Sequence, residues 1–179
     1  MIDEEKKRIR REIRGLKNAV SLDDKTIRSK AILEKVEQLP EFASAKTVML
    51  YWAMADEVQT SDFVINWVAS KCVILPCVNG SELDLRVFRG VEDLVEGENF
   101  GIPEPSGDLF TDYDEIDLIL VPGVAFDVEN NRMGRGKAYY DKLLSSLNAF
   151  KLGVCFDFQL LKSVPTDEHD IKMDRIVSE

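Results

Sequence analysis

Residues 117–141 read DLILVPGVAFDVENNRMGRGKAYYD. Leu118, Ile119, Leu120 and Val121 form an unbroken aliphatic run with the length of a strand buried on both faces. Pro122-Gly123 ends that run, a polar loop follows, and the chain enters a helix at Ala138. Residues 132–137 hold two arginines, one lysine and two glycines. Gly134 and Gly136 let the backbone turn sharply and let an anion approach the amides. Arg132, Arg135 and Lys137 add charge, with arginine able to grip through two parallel donors. The first amides of the following helix point toward the same anion. The stretch therefore reads as a phosphate cradle. Asp141, in the first helical turn, is placed to hold a magnesium ion against the phosphates.

The cradle differs from the common P-loop, because Lys137 is followed by Ala138 where that motif needs Ser or Thr. Nor does its G-x-G carry the third glycine of the dinucleotide fingerprint.

Upstream, residues 2–20 read as a helix with an apolar stripe of Ile9, Ile13, Leu16 and Val20. Lys6, Arg10 and Arg14 stack at spacings of four, which on the residues alone is a solvated basic face. Ser21 caps a second helix, whose apolar side is Ile27, Ala31, Val36 and Leu39 and which Pro40 ends. A buried strand over 47–52 leads into the loop AMADEVQT, which carries Glu57, and then into the helix TSDFVINWVAS. Strands follow at 72–78 and 83–88, then a loop-rich stretch containing FGIPEP, extended by its prolines. After the cradle come a helix over 138–147, a strand over 151–156, a helical turn near 158–161 and a strand over 175–177. Strands alternating with helices predict a three-layer α/β/α sandwich with a mainly parallel central sheet. Residues 1–179 are expected to form one domain. The loops after Trp52, Val78, Val121 and Phe156 should border one crevice at the carboxyl edge of that sheet.

Composition narrows the ligand. A net charge of −10 repels nucleic acid and anionic membrane, so phosphate binding must come from a local cluster. The longest apolar run, residues 48–55, is far short of the roughly 20 residues that span a bilayer. The N-terminal residues carry both charge signs and lack the apolar core of a signal peptide. Cys72, Cys77 and Cys155 form no C-x-x-C pair and are expected as buried free thiols. These features predict a cytoplasmic monomer.

Several motifs, in this order, resemble the 5-formyltetrahydrofolate cyclo-ligase family. They are the basic N-terminal helix with Lys6 and Arg10, DEVQT at 56–60, FGIPEP at 100–105, VPGVAFD at 121–127, RMGRGKAYYD at 132–141 and VPTDEHD at 164–170. The resemblance covers nearly the whole chain. It implies an ATP- and Mg2+-dependent ligase that closes 5-formyltetrahydrofolate to 5,10-methenyltetrahydrofolate with release of ADP and phosphate. It implies that Arg132, Met133, Gly134, Arg135, Gly136, Lys137, Ala138, Tyr139 and Tyr140 wrap the ATP phosphates, helped by Lys6 and Arg10. Arg135 and Lys137 would stabilise the transferring phosphoryl group, and Asp141 and Asp170 would hold Mg2+. Glu57 would hydrogen-bond the pterin between walls of Trp52, Met54, Phe100 and Tyr139, with His169 structural. Three positions depart from the family pattern: Met133 replaces a leucine, Phe100 a tryptophan and Ala138 a glycine. Two rival classes remain on the residues: a binding-only relative, and a sugar-phosphate isomerase on a similar scaffold.

Overall fold

A computed structural model describes residues 1–97 and 101–179; the folate-wall candidate Phe100 lies outside the described residues. In chain order the elements are α1 (Ile2–Ala19), α2 (Leu22–Glu37), α3 (Pro40–Ser44), β1 (Thr47–Met49), α4 (Ser61–Trp67), β2 (Cys72–Asn79) and β3 (Glu82–Phe88). They continue with β4 (Leu94–Glu96), β5 (Pro103–Pro105), β6 (Leu118–Val121), β7 (Ala125–Asp127), β8 (Arg132–Met133), α5 (Tyr139–Leu144), β9 (Phe150–Val154), β10 (Leu160–Leu161) and β11 (Arg175–Val177). A six-stranded sheet runs β11-β9-β6-β1-β2-β3. It is parallel except for β3, which folds back on β2. A small sheet, β10-β7-β8, and a β4-β5 ribbon complete the strands.

The aliphatic run of β6 is buried at all four positions, and its period of two explains the layers. Leu118 and Leu120 face one way, with Val48, Leu152 and Val154, onto Ile32, Val36, Phe42 and Phe63 from α2, α3 and α4. Ile119 and Val121 face the other way, with Met49 and Ile74, onto Leu143 and Leu144 of α5. Each such side chain, fully buried, contributes about 1.5–3 kcal/mol. The expected mainly parallel sheet with helices on both faces is what the chain forms.

Several local expectations need correction. On α1 the buried ridge is Lys6, Ile9, Ile13 and Lys17, while Leu16 is exposed. Ile9 and Ile13 pack on Val124, Ala125, Met133 and Val164, so α1 covers the small sheet and carries two lysines inward. The basic face is therefore only partly solvated. On α2 the Ser21 cap is present, its hydroxyl accepting from the Asp24 amide at 3.1 Å. Its buried side is Lys25, Ser29, Ile32, Leu33 and Val36, whereas Ile27 is exposed. Pro40 opens α3, where its fixed φ suits a first helical position. Cys72 is exposed and Cys77 half-buried; only Cys155 is a buried thiol. Among the described residues no helix is long and apolar enough to cross a membrane.

Candidate active site

Two connections leave the sheet in opposite directions from neighbouring strands. After β1 the chain runs through α4 to β2; after β6 it runs through α5 to β9, on the other side. Such a switch point opens a crevice at the carboxyl ends of the strands. The Glu57 loop and the glycine loop are its two lips.

The stretch after β6 is more ordered than a polar loop. It forms the β7–β8 hairpin, with Asn130 in the left-handed region at φ 66. The Asp127 carboxylate accepts from the amides of Glu129, Asn131 and Val164 and from the Asn131 side chain, each at 3.0 Å. Burial pushes the Asp127 pKa up, but those donors outweigh it and hold the group below its usual range. Phe126 anchors the hairpin: a Cβ on Gly123 or Gly153 would lie 2.6 Å from its ring. The Pro-Gly break therefore makes room for a core aromatic as well as turning the chain.

Arg132 and Met133 are buried. Arg132 Nε donates to the Pro122 carbonyl at 2.8 Å, Nη1 reaches Asp141 Oδ1 at 3.4 Å, and the guanidinium lies 5.2 Å from the Tyr140 ring centroid. Burial lowers the Arg132 pKa against the opposing charge of Asp141. Arg132 thus ties strand, hairpin and α5 together, and Met133 packs under α1. Tyr140 packs against the second core cluster, and burial raises its phenol.

From Gly134 onward the loop faces outward. Arg10 Nε donates to the Gly134 carbonyl at 3.0 Å. Gly136 has φ +99, and a Cβ there would sit 3.4 Å from the Arg10 guanidinium. Arg135 and Lys137 are exposed. The helix expected over 138–147 is shorter, six residues from Tyr139. Its cap, Ala138, has φ 56 and ψ 17, in the left-handed region, so it is not helical as a tolerated methyl would require. That is the physical reason a glycine suits this position.

The two proposed metal carboxylates, Asp141 and Asp170, lie on segments joined by a hydrogen bond. Asp141 Oδ1 accepts the Ile171 amide at 3.2 Å as well as Arg132. Lys6 Nζ lies 2.6 Å from Asp170 Oδ2 and 2.8 Å from Asp167 Oδ2. Burial would lower the Lys6 pKa, but the two hydrogen bonds outweigh it and the group is raised. His169 is exposed beside Glu168.

On the opposite lip, Glu57 is 11% exposed and its Oε2 accepts the Met54 amide at 2.9 Å. Its Oε1 receives Arg135 Nη2 at 3.2 Å, and the same nitrogen donates to Asp56 Oδ1 at 2.7 Å. Lys17, 3% exposed, reaches Asp56 Oδ2 at 3.5 Å. A cleft of about 370 Å³ opens beside this lip, lined by Met54, Ala55, Asp56, Gly101 and Pro103 among others. That is the size of a small-ligand pocket. The strand expected over 47–52 ends at Met49, so Trp52 lies in the segment after β1, half-buried with its ring 6.1 Å from that of Phe88. Tyr139 reaches the turn after β2, its hydroxyl donating to the Gly80 carbonyl at 3.3 Å.

The structure therefore joins Arg135 to Glu57 across the crevice, sets Arg10 on the glycine loop and Lys6 on Asp170, directs Tyr139 to the turn after β2, and turns Arg132 and Met133 inward. Sequence reading missed Lys17, Asp56 and Asp167. Lys17 had a signal, since it continues the Ile9–Ile13 ridge by one more helical turn.

A mainly parallel sheet with a cationic glycine loop at its switch point defines an α/β protein with a crevice at the carboxyl ends of its strands. The model of the 5-formyltetrahydrofolate cyclo-ligase family matches residues 2–179. A probable 5-formyltetrahydrofolate cyclo-ligase of Schizosaccharomyces pombe is 34% identical over 168 residues, 83% of this chain and 82% of the relative. The 5-formyltetrahydrofolate cyclo-ligase of Mus musculus is 26% identical over 99% of this chain and 95% of its own. Among solved structures, the 5,10-methenyltetrahydrofolate synthetase of Aquifex aeolicus superposes with a TM-score of 0.86 at 35% identity, covering 96% of this chain and 88% of that one. The chain belongs to the 5-formyltetrahydrofolate cyclo-ligase family, and it is an enzyme.

Proposed function

We propose that this enzyme converts 5-formyltetrahydrofolate to 5,10-methenyltetrahydrofolate at the expense of ATP, with Mg2+. The observation that carries the reading is the Arg135–Glu57 contact of 3.2 Å. It joins the candidate phosphate loop to the candidate pterin-binding loop, 78 residues apart in sequence. A phosphoryl group held at one would lie beside a folate held at the other, which is what direct transfer between two substrates requires. Family membership supports the same chemistry.

In the proposed reaction the formyl oxygen attacks the γ-phosphorus and the bond to ADP breaks. N10 then adds to the formyl carbon, the carbon–oxygen bond breaks with release of phosphate, and the N10 proton passes to solvent. The chain's contribution is position and charge. Arg10 and Gly136 form the floor for the phosphates, and Arg135 and Lys137 meet the charge of the transferring group. Glu57 orients the pterin, with Trp52, Met54 and Tyr139 along the cleft. Asp141 and Asp170 are the carboxylates to hold Mg2+. No group of three His, Cys, Asp or Glu among the described residues could hold a metal alone, but Mg2+ taken with phosphates needs only one or two carboxylates. The donor set fits an ion that arrives with the nucleotide, where it would neutralise phosphate oxygens.

The test is to incubate the purified protein with 5-formyltetrahydrofolate, with and without Mg-ATP, and follow the methenyl chromophore. A folded protein giving no ATP-dependent signal would overturn the reading. Lys137→Ala should cut turnover by about 10²-fold while folate binding persists; unchanged turnover would remove Lys137 from its role.

A further inference from the structure

Lys17 stands at the last buried position of the α1 ridge, where the proposed reaction gives it no task. Its ammonium shares Asp56 with Arg135: Lys17 is 3.5 Å from Oδ2, and Arg135 is 2.7 Å from Oδ1. Arg135 also reaches Glu57. Two cations therefore neutralise two adjacent carboxylates. They differ in freedom. Lys17 is enclosed on a helix that packs on the small sheet, whereas Arg135 is 46% exposed on an irregular loop. Burial pulls the Lys17 pKa below its ordinary value; Asp56 opposes that, and the nearby charge of Arg135 adds to it. The two cations repel each other, so drawing Arg135 away strengthens the hold of Lys17 on Asp56.

Resting on the ATP-dependent reading above, we propose that Lys17 is a positioning residue: it is the fixed counter-ion that keeps the Asp56–Glu57 loop in place while Arg135 leaves it for the nucleotide phosphates. Without it, releasing Arg135 would strand two carboxylates, one of them nearly buried. Arg135 would then stay on the carboxylates, and the nucleotide would bind against that pull.

The experiment is calorimetric titration of Mg-ATP into wild type, Lys17→Met, Lys17→Arg and the double variant Lys17→Met with Asp56→Asn, alongside steady-state turnover. Lys17→Met keeps the stem and removes the charge, and should weaken Mg-ATP on the order of tenfold, within the usual range of site-to-site coupling. Lys17→Arg restores a cation and should stay near wild type. The double variant leaves one cation, Arg135, with one carboxylate, Glu57, and should recover nucleotide affinity. A side chain that merely filled space would leave Lys17→Met near wild type, since methionine keeps the stem. Unchanged affinity in Lys17→Met, or a double variant as weak as the single, overturns the proposal. If Lys17→Met fails to fold, the double variant, which strands no charge, carries the test: affinity near wild type supports the proposal and a tenfold loss sinks it. A wild type that binds Mg-ATP without making methenyl product would refute the cyclisation reading alone. One that does not bind Mg-ATP would refute both.

Discussion

Ala138 offers the sharpest test of how this loop is built. It caps α5 in the left-handed region, at φ 56 and ψ 17, and its carbonyl already accepts the Lys142 amide at 3.1 Å. A non-glycine residue pays about 1–2 kcal/mol to sit there, because its Cβ crowds the adjoining carbonyl. Ala138 is exposed, so its methyl returns little packing. Ala138→Gly relieves the crowding but frees the unfolded chain, which costs about 0.4–1 kcal/mol. The net expectation is a gain of roughly 0.5–1 kcal/mol, or a rise of about 1–4 °C in Tm for a chain of this size. Urea unfolding should show a higher midpoint at unchanged slope. Ala138→Val is the control, since a branched residue at positive φ is more strained still, and it should lower the midpoint. A glycine variant that loses about 0.4–1 kcal/mol, the value for an unstrained site, would refute the strain argument.

Three further outcomes follow from side-chain geometry. Asp127→Asn turns an amide toward backbone donors that met a carboxylate and should cost about 3 kcal/mol. Because the folded Asp127 pKa lies below its unfolded value, its stabilisation is present above about pH 3.9 and lost as pH falls through the folded pKa. The variant's stability should therefore fall less steeply in acid, and an unchanged acid limb in urea titrations would sink the assignment. Gly153→Ala places a methyl 2.6 Å from the Phe126 ring and should lose about 1–3 kcal/mol by overpacking; a neutral result in thermal melts would show that the ring yields. Thiol titration at pH 8 should find Cys72 fast, Cys77 slower and Cys155, pushed by burial up to about 12, silent until the chain unfolds. Rapid labelling of all three in the folded protein would contradict the burial pattern.

The fold was legible where one period governed a whole element. The run at β6 fixed a two-sided sheet, and with it helices on both faces. It was less legible where side chains serve charge as well as packing. On α1 the apolar letters alone pointed to Leu16 and Val20, but the ridge continues through Lys6 and Lys17, whose buried stems end on Asp170 and Asp56. Lysine can occupy a core-facing position when its head finds a carboxylate, and those carboxylates lie 164 and 39 positions away, beyond any local pattern. The hairpin within the cradle was hidden for a similar reason. Its strands are three and two residues long, too short for a period to show.

The candidate site itself was found through its cations, and the structure changes what those cations imply. A loop rich in arginine and lysine suggests an anion hole waiting to be filled. In the folded chain Arg135 is on Asp56 and Glu57, and Lys6 is on Asp167 and Asp170. Arg10 is on the Gly134 carbonyl. Such pairing keeps like charges from driving the loop apart in the absence of ligand, which an acidic protein can supply from its own surface. On the proposed function, phosphate binding would be an exchange of partners rather than a capture, its net gain the difference between two sets of charge-assisted bonds. Exposed Lys137, which no ion pair engages among the described residues, has no such exchange to make. It can meet an incoming phosphate first, and its removal should slow association of Mg-ATP more than its dissociation is changed. Stopped-flow binding separates the two rates, and a change confined to dissociation would show that Lys137 engages only after Arg135 has moved.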